Sequence, residues 1–309
     1  MITSLFRKST PLNYTVLILA VVVFFFLYQV NHPQAEIDTK SVIGKLLALL
    51  ILFGSLFIVN FIVKKNGLSK DSSYTILFYF LFHLFIPDIF GNLNLLLANF
   101  FVLLAFRRLI SLHSLKSAKE KVFDASLWIF IAALFHFWSI LFIVLVFISI
   151  LFHVARDYRN WLLPFIAGFA AVVAFLMFAL IFDKTRIGHT LASTEIYIKI
   201  DYFANNYQNL ALSIYVAIAV FFLASLLLTL SNRPLVLHTS YKKIIMMFLT
   251  AVIIYIISPA KSNELIIFTA APLAMMATSH IEVTPAQWQK EVILGIAIAC
   301  SLITFFTQL

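Results

Sequence analysis

From Ala125 to Ala155 the chain carries no formal charge, reading ASLWIFIAALFHFWSILFIVLVFISILFHVA between Asp124 and Arg156. About 20 apolar residues cross a bilayer core as a helix, so this run is too long for one comfortable crossing and short for two. Its middle is Phe135-His136-Phe137-Trp138, and tryptophan favours the membrane–water boundary. A break there turns the run into two short crossings. That choice decides on which side of a membrane every later loop falls.

Comparable apolar runs recur along the whole chain: 63% of its 309 residues are hydrophobic, 11% are charged, and the mean hydropathy is +1.03. Hydrocarbon offers backbone groups no partner, and these runs have the length of helices rather than of alternating ten-residue barrel strands. The expected fold class is an all-α polytopic transmembrane helix bundle, a single integral membrane domain over residues 1–309. The spans are drawn at Tyr14–Val30, Val42–Val63, Tyr74–Ile86, Leu93–Ile110, the two halves of Ala125–Ala155, Trp161–Phe182, Leu210–Leu230, Ile244–Ile257, Leu265–His280 and Val292–Phe306. That is eleven crossings, or ten if the central run crosses once.

The net charge of +9 is spread over short loops: Arg7 and Lys8; Lys64, Lys65 and Lys70; then Arg107, Arg108, Lys116, Lys119 and Lys121. Basic residues placed this way follow the positive-inside rule and do not form a nucleic-acid surface. The expected location is a bacterial inner membrane with the N-terminus cytoplasmic. The first span is read as retained, because Asn31-His32-Pro33-Gln34-Ala35 supplies no small-x-small cleavage site. A lone Cys300 excludes an internal disulfide and a cysteine metal site.

As drawn, no span holds an Asp, Glu, Lys or Arg near its middle, which disfavours ion-coupled carriers. A lipid or small-solute transporter therefore ranks below the other readings. Polar residues collect instead at the outer boundary, with Glu36 and Asp38 after the first span and Asp88, Asn92 and Asn94 at the second outer turn. A partly desolvated carboxylate there could take a proton from a sugar hydroxyl; Asp88 equally suits a turn or helix cap. Lys261 is placed to meet a phosphate or to pair with Glu264 at i,i+3. His83 and His136 lie inside apolar runs, where an interhelical hydrogen bond competes with a ligand contact. No cofactor motif or metal-ligand spacing is visible, and a divalent cation at the outer carboxylates stays open.

The stretches MITSLFRKSTPLNYTVLILAVVVFFFLYQ, PDIFGNLNLLLANFFVLLAFRRL and FDA…LFHFW resemble a bacterial family of multi-pass inner-membrane proteins of unknown function. The order of features is also similar to the GT-C superfamily of polyprenyl-phosphate-dependent glycosyltransferases and related glycan polymerases: an acid after the first span, paired short crossings, and a late outer loop, here SPAKSNELIIFTAAPLAMMA. That resemblance implies catalysis by Asp38 or Glu36 and phosphate binding by Lys261. It implies membrane lipids and a polyprenyl-phosphate-linked sugar as partners. The alternative is a non-enzymatic subunit of an envelope assembly or secretion complex, whose 34 phenylalanines face other envelope proteins.

Overall fold

A computed structural model describes residues 2–32, 39–182, 184–185, 188, 195, 206–259 and 262–309. All the regular structure among them is helical. In chain order the α-helices are α1 (Ile2–Phe6), α2 (Pro11–Asn31), α3 (Thr39–Lys65), α4 (Tyr74–Leu84), α5 (Leu93–Ile110), α6 (Ala118–Phe135), α7 (Ile143–His153), α8 (Arg159–Phe182), α9 (Asn206–Thr229), α10 (Leu235–Ile257), α11 (Ile267–Val283) and α12 (Gln287–Gln308). Short 3-10 segments join several of them.

Each of the eleven expected crossings corresponds to one helix, α2 to α12. Eight are long and apolar enough to cross a membrane: α2, α3, α5, α8, α9, α10, α11 and α12. The other three fall short for identifiable reasons. The helix α4 has 11 residues, about 16 Å at 1.5 Å per residue, roughly half a bilayer core. The apolar segment Phe137–His153 is also short, and the start of α6 carries Lys119, Glu120, Lys121 and Asp124. The molecule is a multi-pass helical membrane protein.

The chain forms two compact units. Unit 1 comprises Met1–Leu96, Asp201–His238 and Ser262–Leu309, and unit 2 comprises Leu97–Ile200 and Thr239–Lys261. In unit 1 all eleven residues of α4 are buried. It packs against α11, α3, α12 and α2, with edge-on ring contacts Phe78–Phe222 at 5.8 Å and Phe82–Tyr215 at 5.8 Å. A helix apolar on every side belongs in an interior. Hydroxyls tie the same layer together: Thr278 Oγ1 donates to Thr75 Oγ1 at 3.1 Å, and the Tyr215 and Thr269 hydroxyls lie 2.7 Å apart.

The N-terminal end of α2 is fixed by Thr10, whose hydroxyl accepts from Asn13 N, and by Pro11 in the first turn. At the same end of unit 1, Glu282 accepts from Ser69 Oγ, Ser72 Oγ and Lys70 N at 2.6, 2.7 and 3.0 Å, closing the turn between α3 and α4. Glu291 holds Thr3 of α1 through its backbone N–H and hydroxyl.

In unit 2 the central apolar run is not one helix. The helix α6 ends at Phe135, His136 is extended with φ −143° and ψ 107°, and a 3-10 segment, Phe137–Phe142, leads into α7. The break falls at the expected aromatic cluster. The Trp138 ring is buried. The two ends of the run come back together, because Lys119 Nζ and Asp157 Oδ2 are 3.0 Å apart. The run is a hairpin.

The expected start of the ninth span, Ile244, is too late. The helix α10 begins at Leu235 and absorbs Lys242 and Lys243. Lys243 is only 1% exposed, and its ammonium donates to Leu109 O at 2.6 Å. The expected spans kept charges from their middles; α10, by starting earlier, takes Lys243 into its third turn, level with the last turn of α5. The cause is local, since a carbonyl in the last turn of α5 needs a donor and the lysine provides one.

Candidate functional site

The end of α2 opposite Thr10 carries Tyr28, one turn before Asn31. A 3-10 segment, Pro87–Gly91, packs beside it, and Gln29 Nε2 donates to Phe90 O at 3.3 Å. Gly91 lets the segment lie close to Tyr28: a Cβ at that position would lie 3.2 Å from the Tyr28 hydroxyl, which would have to give way slightly.

The chain then enters α5 through Asn92, whose side chain does two jobs. Its Oδ1 accepts from Leu95 N at 3.1 Å, capping the helix, and its Nδ2 donates to Glu264 Oε2. Glu264 belongs to a second 3-10 segment, Asn263–Ile266. Asp88 Oδ2 accepts from Gln208 Nε2 at 3.2 Å, while Gln208 O accepts from Asn263 Nδ2 at 3.0 Å. Each carboxylate is thus oriented by one amide and keeps lone pairs for something else.

Those lone pairs border a cavity of about 530 Å³ lined by Tyr28, Asp88, Gly91, Asn92, Leu93, Asn94 and Glu264. The size falls within the range of about 300–1,000 Å³ typical of small-molecule sites. Among the described residues no lysine or arginine lines it, so the chemistry they offer is that of an acceptor, suited to hydroxyl donors or a cation. Among the described residues no three His, Cys, Asp or Glu side chains converge as a metal cluster.

Asp88, Asn92, Asn94 and Glu264, expected as site residues, therefore share one cavity. Glu36, Asp38 and Lys261 lie outside the described residues. Neither expected histidine lines the cavity. His83 is buried in α4 with Nδ1 2.7 Å from Tyr79 O, and His136 forms the hairpin turn of unit 2. Tyr28, Gln208 and Asn263 are site-forming residues that the sequence reading missed. Tyr28 was counted as part of an apolar span, although its place one turn from the span's end was a signal. Gln208 and Asn263 flank spans as isolated amides, and nothing local marks them.

A family model matches residues 4–309, that of the family of unknown function DUF6427. The chain belongs to this family. No curated relative and no solved structure matches the DUF6427 chain. Neither the comparisons nor the fold ties it to the GT-C superfamily, and family membership assigns it no reaction.

Proposed function

We propose that the protein binds a hydroxyl-rich headgroup in the Asp88–Glu264 cavity and acts on it as a membrane-embedded glycosyltransferase or glycan polymerase using a polyprenyl-phosphate-linked sugar. One observation carries this reading. Two carboxylates from segments far apart in sequence face one polar cavity, each held by an amide that leaves it free to accept further hydrogen bonds. In this reading Asp88 accepts the proton of the acceptor hydroxyl, while Glu264, Asn94 and the Tyr28 hydroxyl hold the sugar ring. Lys261, three residues before Glu264 in the chain, meets the donor phosphate. Glu36 and Asp38, on the segment joining α2 to α3, supply a second carboxylate at the same reaction. The compartment is the outer side of a bacterial inner membrane, with the N-terminus cytoplasmic.

The test uses the full chain in nanodiscs with a radiolabelled polyprenyl-phosphate sugar and crude acceptor lipids. Asp88→Asn should lower transfer by about 10²–10⁴-fold, the usual contribution of a general base, while Glu264→Gln weakens sugar binding. Wild-type transfer by both variants ends the proposal, as does the absence of any labelled product from the wild type.

A further inference from the structure

Unit 2 holds a polar cavity of its own, about 570 Å³ in volume, at the point where the two ends of the hairpin meet; Lys119, Glu120, His153, Arg156, Asp157 and Asn160 are among its lining residues. Two buried groups in it have unused hydrogen-bonding capacity, and an exposed arginine stands beside them. Asn160 is 3% exposed; its Nδ2 donates to Val154 O at 3.0 Å, and its Oδ1 is buried without a donor. His153 Nε2 is likewise buried without a partner. Arg156 makes none of the ion pairs found among the described residues. Lys119, by contrast, is committed to Asp157. That hydrogen bond holds the Asp157 carboxyl below the usual carboxylate range, so it stays ionised and keeps its lysine.

Buried polar atoms in native proteins are almost always paired, so the leftover valences of Asn160 and His153 point to a missing ligand, and the exposed Arg156 supplies a charge at its edge. A simple anion would satisfy Arg156 and an N–H at His153 Nε2 but leave the Asn160 oxygen without a donor. A neutral polyol would satisfy Asn160 and leave the guanidinium idle. We propose that this cavity binds a phosphate ester bearing a hydroxyl or ammonium donor close to the phosphorus. Arg156 forks two phosphate oxygens, His153 donates to another from Nε2, and Asn160 Oδ1 accepts from the donor group.

The surroundings suit an amphiphile. Leu115, which lines the cavity, is exposed, as are Leu151 and Phe152 beside His153 on α7, offering apolar surface to a tail. The same headgroup chemistry also occurs in soluble phosphate esters, so the experiment needs an arm for each source.

Full-length protein is reconstituted in phosphatidylcholine nanodiscs doped with either phosphatidylglycerol, a diester with free hydroxyls, or phosphatidylmethanol, a diester without a donor. Lipid retained after detergent extraction is counted by native mass spectrometry. Phosphatidylglycerol should be retained about tenfold better than phosphatidylmethanol, the difference made by one buried acceptor gaining its donor. Arg156→Gln, at an exposed position that should not perturb folding, should lose about tenfold in retention, comparable to one charge-assisted hydrogen bond. Arg159→Gln, a neighbouring arginine over the Tyr158 ring and outside the cavity, should match the wild type. Glycerol 3-phosphate that displaces the lipid or raises the melting temperature of the wild type but not of Arg156→Gln identifies a soluble ester as a ligand; failure to do either, with lipid retained, identifies the lipid. Equal retention by Arg156→Gln and wild type overturns the proposal, and so does a wild type that binds none of the three compounds.

Discussion

Lys119 and Asp157 stand on opposite sides of the uncharged run Ala125–Ala155, yet their side chains meet at 3.0 Å. The intervening residues must leave and come back, with His136 as the point of return. Whatever depth the turn reaches, both ends of the run lie on one side of the membrane.

A thiol-labelling experiment checks this directly. Cys300 is first replaced by serine, and single cysteines are then placed at Lys116 and Tyr158, both exposed. An impermeant maleimide applied to sealed vesicles of one orientation should label both or neither. Labelling of one without the other would mean an odd number of passes and a misfolded account of unit 2.

Lys242 and Lys243 are neighbours with opposite surroundings, one exposed and the other 1% exposed on the Leu109 carbonyl. Lys243→Met should cost about 1–3 kcal/mol by leaving that buried oxygen unpaired. Lys242→Met should change stability by no more than about 0.5 kcal/mol. Thermal unfolding in one detergent, monitored by tryptophan fluorescence, compares the two.

Gly168 lets α8 lie close to α6: a Cβ there would sit 2.8 Å from Phe130 Cζ. Gly168→Ala should destabilise by about 1–3 kcal/mol through overpacking. Adding Phe130→Leu should recover most of the loss, the non-additivity expected of residues in contact. An additive double variant would show that the two helices are not held at this point.

At the candidate site, Gly91→Ala would crowd the Tyr28 hydroxyl at 3.2 Å. Ligand affinity should fall severalfold with little change in melting temperature, because the tyrosine tip can shift while its helix stays put. A saturation titration with the sugar donor used for the transfer assay measures this. Unaltered affinity would remove Tyr28 from the site.

Much of this arrangement is legible in the sequence. The aromatic cluster at Phe135–Trp138 marked the hairpin turn because a long uncharged run must be broken somewhere, and bulky rings are at home there. Asp88, Asn92, Asn94 and Glu264 were picked out as polar residues stranded at span ends, and they do share a cavity. The rest depended on distance. Nothing near Gln208 announces that its amide reaches Asp88, 120 positions away. Nor could counting charges reveal that Lys243 is capped inside its unit rather than solvated in a loop; that requires knowing where the last turn of α5 ends.

The burial of α4 has a consequence for how the molecule is made. A helix of 11 residues is too brief to be held in lipid by itself, and its hydroxyl and ring partners, Thr278, Tyr215 and Phe222, emerge from the ribosome long after it. The first compact unit therefore stays open until the last third of translation, and a nascent chain released early would leave this segment, fully covered in the finished protein, unattended, a ready mark for quality-control proteases.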